Sequence, residues 1–423
     1  MARYDRIARI DSPPRGRAFN GWFTLRDLEG REREPELGRR ARLRYLALRP
    51  VRRLLLRGLE RVDGGSVALQ VEAVRDELGQ LPGQDPERQL LESYLKEIGG
   101  GSADGLLKAT LDVGAAAEAG GHRFAAEEFY RTALELARTR GFPSYALHAL
   151  RFLGRVQRDR EEWEDAITSY REAAALAESM GERVEWGRSM EGLAAVHLRR
   201  GDVPAARKAL DRIRGTNAGR ELRAIAAAGT CALELAIGNS DEALSAGWEA
   251  VTHLPAGDEA RNGVLLNMAA AFRRLGLHEA AGSCYEIVTR WAAWPEHRIE
   301  AGLEYAVVAA EAGDPGTFVT RRAALLDSLA PADRPLRALV DLGLGRGALL
   351  VDDTETAREH LRGAIATARD LDDARILERA EELLASLENE SRPTLEHDAD
   401  ASSDARRIAE SVESILAAAA RPG

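Results

Sequence analysis

The stretch LGRVQRDREEWEDAITSYREA, residues 153–173, decides the fold. Leu153-Gly154 sets a small residue beside a large one, and after a gap Trp163, Ala166, Tyr170 and Ala173 follow at steps of three and four. Those steps place the last four on one face of a helix. Small residues let two antiparallel helices approach, while large ones fill the space beside them. The stretch therefore predicts a helical hairpin.

Working outward, the same spacing returns. It reads Leu193-Ala194, Gly201, Val203, Ala206, Leu210 and Ile213, then Gly238, Ala243, Ala250 and Pro255. It continues as Met268-Ala269, Phe272, Gly276, Ala281, Tyr285 and Val288, and later as Leu344-Gly345, Ala348, Ala357, Leu361 and Ala364. Upstream it reads Ala126, Tyr130, Ala133 and Leu134. With the small residue of the second helix as marker, Ala126, Ala166, Ala206, Ala243, Ala281, Phe318 and Ala357 stand 40, 40, 37, 38, 37 and 39 residues apart. Such a period marks a repeat array. Gly201, Gly238, Gly276 and Gly313 fall where each hairpin turn needs a left-handed residue.

At these residues the sequence resembles the tetratricopeptide repeat family. Its signature sets Trp, Leu-Gly and Tyr in the first helix, then Ala, Phe or Tyr, Ala and Pro in the second helix and following turn. Leu153-Gly154, Trp163, Ala166, Tyr170 and Ala173 match, as do Ala243, Ala250 and Pro255 one repeat class on. The resemblance covers roughly residues 105–388, and the long period is that of the longer-helix variety found in bacterial signalling proteins. It implies an all-α fold: a right-handed superhelical solenoid of about seven hairpins of tetratricopeptide (TPR) type, its inner face lined by the first helices. Asp372 to Leu387, with Ile376, Leu377, Ala380, Leu383, Leu384 and Leu387 on one stripe, reads as the capping helix.

Composition agrees. Of 423 residues 45 % are hydrophobic but only 5 % aromatic, so Ala and Leu must build the core. No stretch approaches the ~20 apolar residues of a membrane span, and the first residues lack a secretory apolar core, so a cytoplasmic location is expected. Cys231 and Cys284 cannot form a disulfide framework and read as small buried residues. Lysine occurs only at Lys96, Lys108 and Lys208, a bias toward Arg expected of a GC-rich bacterium.

The net charge of -10 hides an asymmetry. Seventeen Arg against eight acidic residues lie between Arg3 and Arg61, so a basic head precedes an acidic body. In that head (residues 1–65) Phe19, Trp22 and Phe23 gather aromatics, Arg39–Leu48 and Pro50–Val62 are helical in pattern, and Val51, Leu54, Leu55, Leu59 and Val62 share a face. A helical lead-in covers 66–104, with Asp85 as cap before Pro86. The repeat array spans 105–388. Residues 389–404 read as a flexible acidic linker. Residues 405–423 form a last amphipathic helix through Ile408, Val412, Ile415 and Leu416, which either folds back, self-associates or docks on a partner.

Catalytic patterns are missing: no phosphate loop, no His-Glu-x-x-His, no paired Cys and no Gly-x-Ser-x-Gly. Gly343, Gly345 and Gly347 read as close helix packing rather than a dinucleotide turn. No enzyme activity, metal or cofactor is expected. In the family register the inner groove presents His148, Arg151, Arg155 and Arg158, then Arg188, Glu191 and Arg199, and further on Asn267, Arg273 and Arg274. Arg151, Arg155 and Arg158 share one helix face, and an acidic ligand would relieve their repulsion by charge-assisted hydrogen bonds. Local pairing with Asp159 and Glu162 is the competing reading. The function expected is a scaffold or adaptor holding a protein or peptide, with an acidic segment the favoured ligand. The alternative is a nucleic-acid-associated regulator whose basic head neutralises phosphates while the repeats sense a ligand.

Overall fold

Helices follow one another in pairs along the chain, and the second of each pair carries the repeat marker as its fourth residue. A computed structural model describes residues 40, 42–51, 64–100, 102–120, 122–216, 219–254, 258, 260–292, 295–329, 334–371, 374–388 and 401–419. Among the described residues the regular structure is entirely α-helical. Contacts divide the chain into two compact units, Met1–Gly192 and Leu193–Gly423.

The first unit contains α1 (Gly64–Leu78), α2 (Pro86–Gly100), α3 (Ala103–Ala119), α4 (Arg123–Arg140), α5 (Pro143–Asp159) and α6 (Trp163–Met180), and the division falls inside α7 (Arg183–Arg199). The helical stretch 42–51 packs Leu43, Ala47, Leu48 and Val51 against Val71, Leu78, Leu91 and Tyr94 of the lead-in. Three arginines here are paired nearby: Arg40 reaches Asp85 at 2.6 Å and Glu87 at 2.9 Å, Arg44 reaches Glu87 at 2.6 Å, and Arg42 reaches Glu77 at 3.0 Å. Asp85 caps α2 as the sequence predicts, accepting from the amides of Glu87 and Arg88. The Arg40 guanidinium holds its carboxyl below the usual range. The remaining head, with Phe19, Trp22, Phe23 and most of Pro50–Val62, lies outside the described residues.

The second unit continues with α8 (Val203–Gly215), α9 (Arg220–Ala236), α10 (Ser240–His253), α11 (Ala260–Arg274), α12 (His278–Trp291), α13 (Pro295–Glu311), α14 (Pro315–Ser328), α15 (Arg334–Leu350) and α16 (Thr354–Leu371). Then come α17 (Ala374–Glu388), where the capping helix is expected, and α18 (Ser403–Ala419). Successive helices pack on their sequence neighbours within each unit, the solenoid pattern. Ala126, Ala166, Ala206, Ala243, Ala281, Phe318 and Ala357 are all 0 % exposed. The markers are thus fully buried between the helices.

The irregular copies are explained by their neighbours. Twelve residues before its marker each first helix has a small residue, so the large residue of the second helix can press against it. Tyr170 does this twice: a Cβ on Gly154 would lie 2.9 Å from its ring, and one on Gly192 would overlap it. Where Gly247 stands in place of the large residue, Met268 and Cys231 fill the space. Phe318, the odd marker, fits because Gly347 leaves it room, while Gly343 and Gly345 admit Leu303 and Leu361. The three glycines serve packing, as their place in a first helix predicts.

The hairpin turn has one recurring backbone feature. Five residues before the marker, Glu161, Gly201, Gly238, Gly276, Gly313 and Asp352 have φ of 61°, 78°, 89°, 70°, 70° and 61°. A left-handed conformation costs a non-glycine roughly 1–2 kcal/mol, partly offset by the greater freedom glycine loses on folding. Glu161→Gly should therefore raise stability by about 0.5–1 kcal/mol. Urea unfolding checks this, and a lower midpoint would contradict it.

The last helix folds back within the second unit. It starts at Ser403, two residues ahead of the predicted 405, and lies on α10 and α12. Ala405, Ile408, Ala409 and Val412 are at most 5 % exposed. The Ser402 hydroxyl bonds the Asp241 carboxylate and accepts from the Ala405 amide at 3.1 Å, so it caps α18 while tethering it. Of the predicted linker, residues 389–400 lie outside the described residues.

Candidate functional site: the face of the first helices

On α5 the residues between core and solvent form one stripe: His148, Arg151, Phe152, Arg155 and Arg158 are all half-buried. The opposite side packs Leu147, Leu150, Leu153 and Val156 inward. An amphipathic 3.6-residue period alone produces this division.

Phe152 is the centre of the stripe. Its ring leans on Tyr130 with centroids 5.2 Å apart, and His148 stacks on it at 6.3 Å. The Arg155 guanidinium lies 5.0 Å from its centroid and that of Arg151 5.9 Å. Cation–π attraction holds guanidinium groups at such distances. Burial lowers the His148 pKa, with Glu185 pulling the other way, so the imidazole is neutral at pH 7.

The arginines find partners mainly across space. Arg155 donates to both oxygens of Glu118 on α3, at 2.5 and 2.7 Å, and the Tyr130 hydroxyl donates to the same carboxylate at 2.6 Å. Arg151 pairs with Glu185 on α7. Local pairing accounts for Arg158 alone, which reaches Asp159 at 2.9 Å. Glu162, the other local candidate, is held by Arg160. On α7, Arg188 lies 3.8 Å from Glu185. The Glu191 carboxyl is pushed up by burial against the pull of Arg158, Arg151 and Arg188. No described donor bonds it.

The other predicted positions belong to the second unit. Arg199 is exposed at the end of α7 and Asn267 is half-buried on α11. Arg273 donates to Glu304 at 2.7 Å and grips both oxygens of Glu311, which Arg346 also reaches at 3.1 Å. Exposed Arg274 donates to the Leu235 carbonyl at 2.6 Å. The eight predicted residues are thus not one cluster. Arg151, Arg155, Arg158 and Arg188 come together, and the rest are elsewhere in the chain. Sequence reasoning passed over Glu118, Glu185, Glu304, Glu311 and Phe152. Their one detectable signal was position: the four glutamates sit on first helices adjacent to that of the arginine they meet, and Phe152 stands between Arg151 and Arg155 on α5.

Among the described residues no group of three His, Cys, Asp or Glu could hold a metal. Cys231 and Cys284 are buried and free, and burial pushes the Cys231 thiol up to about 12, leaving it protonated. No described helix is long and apolar enough to cross a membrane.

Residues 149–184 match the model of the tetratricopeptide repeat. No curated protein matches the sequence. Solved structures with a similar chain path include a Rap protein complexed with Competence and Sporulation Factor, at 12 % identity and TM-score 0.43, covering 78 % of this chain and 99 % of that one. Another is the apo form of the quorum sensor NprR from B. thuringiensis, at 12 % identity and TM-score 0.38, covering 86 % of this chain and 92 % of that one. Residues 149–184 are thus similar to a tetratricopeptide repeat, and hairpins of the same build stand before and after them.

Proposed function

We propose that the protein is a non-enzymatic adaptor of the bacterial cytoplasm that holds a peptide or protein segment on the α5–α7 face. The observation that carries this reading is the half-buried Phe152 ring, flanked by His148, Arg151 and Arg155 beside the Glu185, Arg188 and Glu191 cluster. An aromatic body with cations at its rim is the composition that concentrates binding energy. An acidic side chain of the partner would exchange with Glu185 for Arg151, and a donor would satisfy Glu191. Arg155 and Arg158 have partners of their own and shape the face; Arg273 and Arg274 are likewise held, and Arg199 and Asn267 belong to the second unit.

The test is a peptide display screen on the full chain, followed by anisotropy titration of the captured peptides. Arg151→Glu with Arg188→Glu should weaken an acidic peptide by about a hundredfold, at about tenfold for each charge-assisted hydrogen bond removed, with helical circular dichroism unchanged. Equal affinity for wild type and double variant would reject this face.

A further inference from the structure

A second site lies in the second unit, where α18 roofs the cleft between α10 and α12. The cavity has a volume of about 290 Å³ and is lined by Trp248, Trp291, Ile287, Leu265, Val412 and Ile415. Its walls depart from the repeat. Five residues past the marker the other second helices carry Arg131, Arg171, Asp211, Glu286, Ala323 and Arg362, five of the six charged, where α10 has Trp248. Six past it stand Glu172 and Arg212, where α12 has Ile287. Apolar side chains there suit the docking of α18, yet α18 does not fill the cleft, and Trp291 remains 53 % exposed at its edge.

The mouth is polar. Asp258, Arg261 and Asn262 line it. The Asp258 carboxylate accepts from the Ala260 amide at 3.0 Å, at the start of α11. No described carboxylate pairs with Arg261, unlike Arg273 on the same helix, which has two. An apolar chamber with one unspent guanidinium at its entrance matches a small ligand that is hydrophobic at one end and anionic at the other. The volume falls at the lower edge of ligand pockets, typically ~300–1,000 Å³, which suits one ring system rather than a peptide.

We propose that this cavity binds a small aromatic carboxylate, its ring against Trp248 and Trp291 and its carboxylate on Arg261, with α18 closing the site through Val412 and Ile415. The ligand binds only where α18 is docked, so it holds the C-terminal helix in place by linkage.

Titration calorimetry of the full chain with indole-3-acetate, phenylacetate and 3-phenylpropanoate tests this. At least one acid should show saturable one-to-one binding and raise the melting temperature. Its neutral amide, and the Arg261→Gln variant with the acid, should each bind about tenfold more weakly. Ile415→Trp, which fills the chamber, should abolish binding while keeping the wild-type melting temperature. Should that variant melt early, Trp291→Ala at the exposed edge serves instead, with weaker binding expected. No saturable binding of any of the three acids, equal binding of acid and amide, or undiminished binding to the filled or trimmed chamber would overturn the proposal.

Discussion

Tyr170→Ala should destabilise the first unit by about 3–5 kcal/mol, the range for truncating a large buried aromatic. Tyr170 is 4 % exposed, and its ring lies against Gly154 on α5 and Gly192 on α7. Two glycines offer no side chain that could swing into the void, so the cavity left behind stays open and the cost falls in the upper part of that range. The same geometry predicts the sign of a second change. Gly192→Ala alone should destabilise by roughly 1–3 kcal/mol through overpacking. In the Tyr170→Ala background it should be neutral or stabilising, because the methyl then enters empty space. Urea unfolding of the four variants measures this cycle. Additive losses would show that the ring is not wedged between the glycines.

Arg155→Ala should cost about 3 kcal/mol, since losing the half-buried guanidinium leaves the buried Glu118 carboxylate without its charge partner. The Glu118 side chain is 9 % exposed and keeps only the Tyr130 hydroxyl once the guanidinium is gone. Arg155→Met with Glu118→Gln should recover most of the loss, because removing both charges removes the uncompensated one. Exposed Arg138–Glu172, with side chains 57 % and 50 % accessible, supplies the contrast: its loss should cost no more than about 1 kcal/mol. Thermal and urea unfolding of the single and paired variants distinguish a structural clamp from a ligand-binding arginine. A stable Arg155→Ala that loses only peptide capture would reverse this assignment.

Much of this architecture was legible in the residues. Burial of a helix face needs large and small side chains at steps of three and four, so Ala126 to Ala357 reveal the hairpins and their period without coordinates. The turns were legible at Gly201, Gly238, Gly276 and Gly313, where a left-handed backbone favours glycine. They were illegible at Glu161 and Asp352, which adopt that conformation against their preference. The Asp85 cap and the packing role of the three glycines in α15 followed from local rules as well.

The candidate site was only half legible. Helical spacing put Arg151, Arg155 and Arg158 on one face, but pairing across neighbouring first helices joins residues 31 to 38 apart, such as Arg273 with Glu304 and with Glu311. Adjacent sequence invited Asp159 and Glu162 as partners, and only Asp159 serves. Likewise the stripe on α18 announced a buried face without naming its counterpart, which begins at Asp241, 161 residues earlier.

The sequence by itself determined that this chain is an array of helical hairpins with a fixed turn and a fixed marker, because those features depend on side chains within a few residues of one another. Only the tertiary structure decided which arginines are occupied, where the last helix lies and that a chamber remains beneath it. Those outcomes depend on which charges and apolar faces the stacking of repeats brings within a few ångströms, and no local pattern encodes that distance.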